Sequence, residues 1–286
     1  MLWFARLTWI VLAFTSAPAI DDALASHDAP ARVVAALLAW ALWGAALFAL
    51  LAPRPWGFTI VRVATTVAVA TALLSAWSTS GSSATLAIGV AVIATFALCS
   101  ASVAHACADG ASYGYERRFP LRAPFALLMG GAPVAALVIA AGLAAGPLLL
   151  AASQWVAGAI AVIVGIPIAA YTARALNALS LRWLVIVPAG FVVADPLTLA
   201  DPVLLPTDRV AGIAEAPAAA PLGSLDLRLG TAFGGLLVHL TESGPFARRS
   251  GRNEISAVTT DRVLVTPLRP SWFRKALTER RNTARA

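Results

Sequence analysis

The chain has 286 residues, 59% hydrophobic and 12% charged, with a formal net charge of +7. Ordinary soluble domains run at roughly 45–50% apolar and about 25% charged, so the composition excludes that class and points to a membrane protein. Nucleic-acid binding is not expected, because residues 174–286 hold 14 basic against 9 acidic residues with few aromatics interleaved.

Six runs reach the roughly 20 apolar residues that a spanning helix needs: 3–20, 33–52, 58–78, 84–106, 124–146 and 152–173. The first has an alternative reading. "MLWFAR", an apolar core and Ala17-Pro18-Ala19 also have the form of a secretory signal with its peptidase site. "DDALASHDAPAR", "PRPWG", "STSGSS" and "DGASYGYERRFPLRAP" separate the first five runs, and a tight turn is predicted near Gly146-Pro147 before the last.

Orientation follows from the Arg bias. Arg6, Arg54, Arg62, Arg117, Arg118, Arg122, Arg174 and Arg182 fall on one side, while Asp21, Asp22 and Asp28 fall on the other with Arg32 as the exception. The expected topology is a six-span plasma-membrane protein with both termini cytoplasmic.

"LRWLVIVPAGFVVADPLTLADPVLLP" (181–206) is not a seventh span. Only twelve uncharged residues separate Arg182 from Asp195, too few to cross a bilayer as a helix. The β-branched runs around Pro188-Ala189-Gly190 predict a hairpin, and open strands do not sit in lipid, where their N–H and C=O groups lack partners. "VLLPTDRVAGI" is predicted as a third strand. "LDLRLG" (225–230), "GLLVHLT" (235–241) and "RVLVTPL" (262–268) read as further strands, and "ESGPFARRSGRNE" as a basic loop. "PSWFRKALTERR" reads as a closing helix with Trp272, Phe273, Ala276 and Leu277 on one face. The expected domains are therefore a helical bundle at 1–173 and a small, mostly-β cytoplasmic domain with a C-terminal helix at 174–286.

Three pieces of this second part resemble the pleckstrin-homology-like (PH-like) domains of bacterial membrane proteins of actinobacterial type. "RWLVIVPAGFVVAD" is similar to their opening hairpin and "PVLLPTDRVAGI" to the next strand and turn. "DRVLVTPLRPSWFRKALTER" is similar to the last strand and closing helix. The resemblance implies a binding or assembly module with no catalytic set. The alanine-rich, nearly lysine-free composition, in which Lys275 is the one lysine, also suits a bacterial source.

Chemistry-bearing residues are sparse in the apolar runs. Cys99 and Cys107 read as small buried hydrophobes. His105 and Cys107 lie about 200° apart on a helix and do not share an ion, whereas His105 and Asp109 share a face at the interface. No metal, cofactor or catalytic residue is expected. Gly142 and Gly146 form a G-x-x-x-G that predicts close helix packing.

The candidate membrane-surface contacts are Arg248, Arg249 and Arg252 in the basic loop, with Trp272, Phe273, Arg274, Lys275, Arg280 and Arg281 in the closing helix. Anionic lipid head groups attract such cations, and the two aromatics suit the headgroup layer. The same residues also fit a bland role, with the aromatics packed on the barrel and the cations solvated.

The expected function is that of a non-enzymatic multi-pass membrane protein acting in assembly or regulation through its cytoplasmic module. Its expected partners are the lipid bilayer and another membrane protein. One alternative is a transporter or channel subunit for a small apolar or lipidic substrate. Another is an enzyme on lipid head groups using His105 and Asp109.

Overall fold

The computed structural model describes residues 2–78, 82–231, 233–251 and 254–283. The chain divides into two units. One comprises Met1–Cys107 and Met129–Asn177, and the other Ala108–Leu128 and Ala178–Ala286. The second unit therefore takes 108–128 as well as the residues beyond 177, and the chain passes between the units three times.

The first unit is helical. Its elements are α1 (Leu2–Leu24), α2 (Ala29–Leu51), α3 (Pro55–Ser78), α4 (Ser82–Leu98), α5 (Ala101–Asp109), α6 (Ala132–Ala151) and α7 (Trp155–Ala178). Five helical stretches of 23–27 residues among those described are long and apolar enough to cross a membrane. The predicted fourth run is instead a bent pair: α4 and α5 meet at Cys99–Ser100 with a 48° bend. The predicted turn at Gly146-Pro147 also falls later. Pro147 lies inside α6, and the reversal occurs at 152–154, where Ser153 has φ 61°. The apolar Leu148-Leu149-Leu150 run carries the helix past the proline, and Leu148, Leu149 and Leu150 carbonyls accept the N–H groups of the turn.

Gly142 and Gly165 set the contact between α6 and α7. A Cβ on Gly142 would stand 3.0 Å from the Ala169 Cβ, and one on Gly165 would meet the Gly142 carbonyl at 2.6 Å. Only glycine permits so close a backbone approach, the packing expected of the G-x-x-x-G.

The second unit contains β1 (Arg117–Pro120), β2 (Trp183–Val187), β3 (Gly190–Ala194), β4 (Val203–Pro206), β5 (Val210–Glu215), β6 (Leu225–Asp226), β7 (Leu236–Arg249), β8 (Ile255–Val265) and α8 (Pro270–Thr283). The strands form two four-stranded sheets, ordered β1-β2-β3-β4 and β5-β7-β8-β6. The hairpin around Pro188-Ala189 forms as predicted, with Trp183 opposite Ala194 and Val187 opposite Gly190. Gly190 has φ 155°, and a Cβ there would strike the Leu205 carbonyl of β4.

Four expectations change. The "YGYERRFP" segment, expected as a loop, supplies β1, which pairs antiparallel with β2. "VLLPTDRVAGI" is two strands in different sheets, because a 3-10 turn at Thr207–Arg209 breaks it. "LDLRLG" pairs only at Leu225–Asp226, where Arg228 turns inward to its own ion pair. Most of the expected basic loop is strand: β7 runs through to Arg249, with a register shift between His239 and Gly244.

Both sheets and α8 share one core. Phe119, Leu184, Phe191, Leu205, Val238, Phe246, Val263 and Phe273 are all buried in it. Phe273 is wedged edge-on against Phe119 and Phe191 at centroid distances of 5.5 and 5.4 Å. Full burial of a Phe side chain is worth about 1.5–3 kcal/mol.

Candidate functional site

The predicted contact residues divide between two elements. Arg248 and Arg249 lie near the end of β7, opposite Ser256 and Ile255. The Arg249 N–H donates to the Thr198 carbonyl at 2.8 Å, and Arg248 bridges Leu199, so this strand end is fastened to the 198–199 loop. Arg252 lies outside the described residues.

The remaining residues lie on α8, which folds because its Phe273, Ala276 and Leu277 share a helical stripe that enters the core. Phe273 is 0% exposed and so is removed from the set of surface contacts. Trp272 is 51% exposed, so it does not share the buried face assigned to it. One residue step turns a helix by about 100°, which separates these two neighbours. Arg269 lies over the Trp272 ring at 4.2 Å. Arg274 faces Glu215 of β5 at 3.8 Å, and Lys275 faces Glu279 one turn on at 3.9 Å. Arg281 belongs to α8, but its side chain lies outside the described set.

The structure adds residues that the sequence did not mark. Arg117 of β1 reaches Glu279 at 3.7 Å, and Arg280 stands over the Tyr115 ring at 5.7 Å. Tyr113 and Tyr115 are exposed. The 113–117 segment and α8 thus bring together Tyr115, Arg117, Lys275 and Arg280, with Trp272 one turn before Lys275, while Arg274 lies on another side of the helix beside Glu215. The available signal was the aromatic-basic run "YGYERR", but its meaning depended on β1 joining the second unit. Arg and Lys bind phosphate oxygens through charge-assisted hydrogen bonds, and Trp and Tyr suit an apolar-polar boundary. Glu215 and Glu279 partly neutralise the face.

Two ion pairs brace the unit, one fully buried and one with its carboxylate partly exposed. Arg182, 1% exposed, donates from Nε and Nη2 to the two Asp195 carboxylate oxygens at 2.9 and 2.8 Å. Its Nη1 and Nη2 also donate to the carbonyls of Arg122 and Leu227, both at 3.1 Å. The sequence placed Arg182 among the Arg residues of one side, and the structure buries its side chain within the β unit. Arg228 is bound by both oxygens of Asp226 at 2.9 Å and donates to the Pro217 carbonyl at 2.8 Å. Burial raises the Asp226 pKa, but the Arg228 hydrogen bonds and the charges of Arg228 and Arg248 outweigh it and hold the carboxyl below its ordinary value. Asp109 accepts from the Ser112 hydroxyl at 2.9 Å and the Arg118 N–H at 3.0 Å, the work of a turn cap.

The helical unit has its own polar contacts. Arg6 donates to the Leu50 carbonyl at 3.0 Å, and the Thr59 hydroxyl to Asn177 Oδ1 at 2.9 Å. Arg62 lies over the Phe58 ring at 4.3 Å. Among the described residues, no group of three or more His, Cys, Asp or Glu side chains is placed to hold a metal ion. Comparison with protein-family models, curated proteins and solved structures returned no match.

Proposed function

We propose that this chain is a multi-pass membrane protein whose helical unit holds a PH-like β module at the cytoplasmic face, where it works by binding rather than catalysis. The observation that carries this reading is the pairing of β1 with β2, Arg118 opposite Val185 and Pro120 opposite Trp183. In chain order β1 precedes α6 and β2 follows α7, so the sheet pairs the segment that leads into this helical pair with the segment that leaves it. A module joined to the helices at both points in the chain is suited to act as a binding or assembly element for a partner. Two four-stranded sheets closed by a C-terminal helix support the PH-like assignment.

Membrane insertion is supported by the side chains that the helices leave uncovered. Fewer than half the residues in each candidate span are buried, and Phe14, Trp77, Phe96 and Ile163 are exposed. Apolar surface on this scale marks contact with lipid or protein. The non-catalytic reading is supported by the use of the buried Asp195 and the partly buried Asp226: both carboxylates are occupied by Arg partners. The mixed aromatic and basic face around α8 is the proposed contact surface, with anionic head groups or a membrane-protein partner as its target.

Reporter fusions after His27, Tyr115, Arg174 and the C-terminus test the topology. The expected result is His27 outside and the other three inside. Opposite sides for Tyr115 and Arg174 would overturn the reading, since β1 and β2 could not then share a sheet. A photo-crosslinker at Trp272 tests the surface: a discrete lipid or protein adduct is expected, and its absence would remove the α8 face.

A further inference from the structure

Within the helical unit, α1, α2 and α3 line a half-open cavity of about 180 Å³. Apolar cavities of about 150 Å³ are large enough to stay dry and accept benzene. The walls are apolar: Leu12 and Ile20 from α1, Ala39 and Trp40 from α2, Val67 and Ala68 from α3. Trp9 and Trp43 also line it and tie α1 to α2 reciprocally, each indole N–H donating to the other's carbonyl at 3.0 Å. Trp40 stands edge-on to Trp43, with centroids 5.4 Å apart.

Three polar side chains break the apolar lining, Ser16, Asp21 and Thr71, and the Thr71 hydroxyl is already spent on the Val67 and Ala68 carbonyls. The Ser16 hydroxyl is buried and has no hydrogen-bond partner, and it lines the cavity. A buried hydroxyl without a partner is destabilising, and an occupant bearing an acceptor would satisfy it. Asp21 also lines the cavity and is paired with Arg32 at 3.2 Å, both partly exposed. On a helix rising 1.5 Å per residue, the path from Trp9 to Asp21 is about 18 Å long. The cavity is therefore an elongated apolar slot with a hydrogen-bond donor partway along it and an ion pair towards the α1 C-terminal end.

We infer that this slot binds one acyl chain of a bilayer phospholipid, with the Ser16 hydroxyl donating to the ester carbonyl and the Asp21–Arg32 pair beside the zwitterionic headgroup. The inference rests on the membrane reading above, because the bilayer supplies the ligand. The hydroxyl and the ion pair follow one another along α1, as the ester and charged head of a phospholipid do. An isoprenoid hydrocarbon lacks both groups.

The test uses the full chain in liposomes containing a phosphatidylcholine with a photoreactive diazirine in one acyl chain. Crosslinks are expected to concentrate on the slot-facing residues of α1 and α3, several-fold above the outward-facing Phe14 and Leu73. Ala39→Phe, at an exposed wall position, should cut slot labelling at least fivefold, and Ser16→Ala should weaken it while helix content stays unchanged. Equal labelling of slot and outward faces, or displacement by an isoprenoid but not by excess phospholipid, would overturn the proposal. Alkaline extraction separates the two readings. If the protein stays in the bilayer without slot labelling, the lipid site fails and the membrane reading stands. If the protein is washed out, the membrane reading itself fails.

Discussion

Arg182 and Asp195 bracket the β2–β3 hairpin and meet through two hydrogen bonds of 2.9 and 2.8 Å, with both side chains removed from solvent. The twelve residues between them form the two strands and their turn, so the pair closes the open end of the hairpin. The same guanidinium reaches the backbone at Arg122 and Leu227 and ties two further segments to that point.

Breaking this pair leaves a buried charge without its partner. Arg182→Ala or Asp195→Ala is expected to destabilise the β unit by about 3–5 kcal/mol. A double replacement by Met and Leu should recover most of that loss, because it removes both charges and keeps the volume. Denaturant unfolding of the full-length protein, followed by near-UV circular dichroism, checks both expectations.

Phe273 and Trp272 make a paired test of which side of α8 faces inward. Phe273→Ala empties a site between two aromatic rings and is expected to cost about 3–5 kcal/mol. Trp272→Ala, at a half-exposed position, should stay within about 1 kcal/mol. Similar losses at both positions in the same unfolding assay would contradict the observed burial.

Asp226 gives a pH signature. Its pKa is depressed below the ordinary 3.8, so its contribution is present above that value and is lost as the pH falls through the lower folded value. Asp226→Asn should therefore weaken the β unit near neutral pH, and its deficit relative to wild type should shrink as the pH falls below 3.8. Thermal unfolding across an acid series measures this. A deficit that is constant with pH would mean that the carboxylate charge is not the stabilising feature.

The α6–α7 contact predicts a contrast between glycines. Gly142→Ala places a methyl against the Gly165 carbonyl and should cost about 1–3 kcal/mol through overpacking. Gly44→Ala, with nothing within 4 Å of its added methyl, should be neutral or stabilising by up to about 1 kcal/mol. Unfolding in detergent micelles compares the two.

The sequence alone determined the features that depend on local pattern. Length and hydropathy marked the helical stretches, and β-branched runs around Pro188-Ala189 marked the hairpin. The stripe containing Phe273, Ala276 and Leu277 marked α8. The basic residues of the candidate surface were equally legible as charges near two elements.

Tertiary structure decided the rest. Arg117–Pro120 is a strand only because β2, some sixty residues on, offers it an edge. Arg182 is a core residue because Asp195 and two distant carbonyls satisfy its charge. Tyr115 joined the α8 surface by the same long-range pairing, and Phe273 left it because Phe119 and Phe191 close around the ring. Hydropathy and periodicity are properties of neighbours along the chain. Strand pairing, charge burial and the slot at Ser16 depend on residues that only folding brings together.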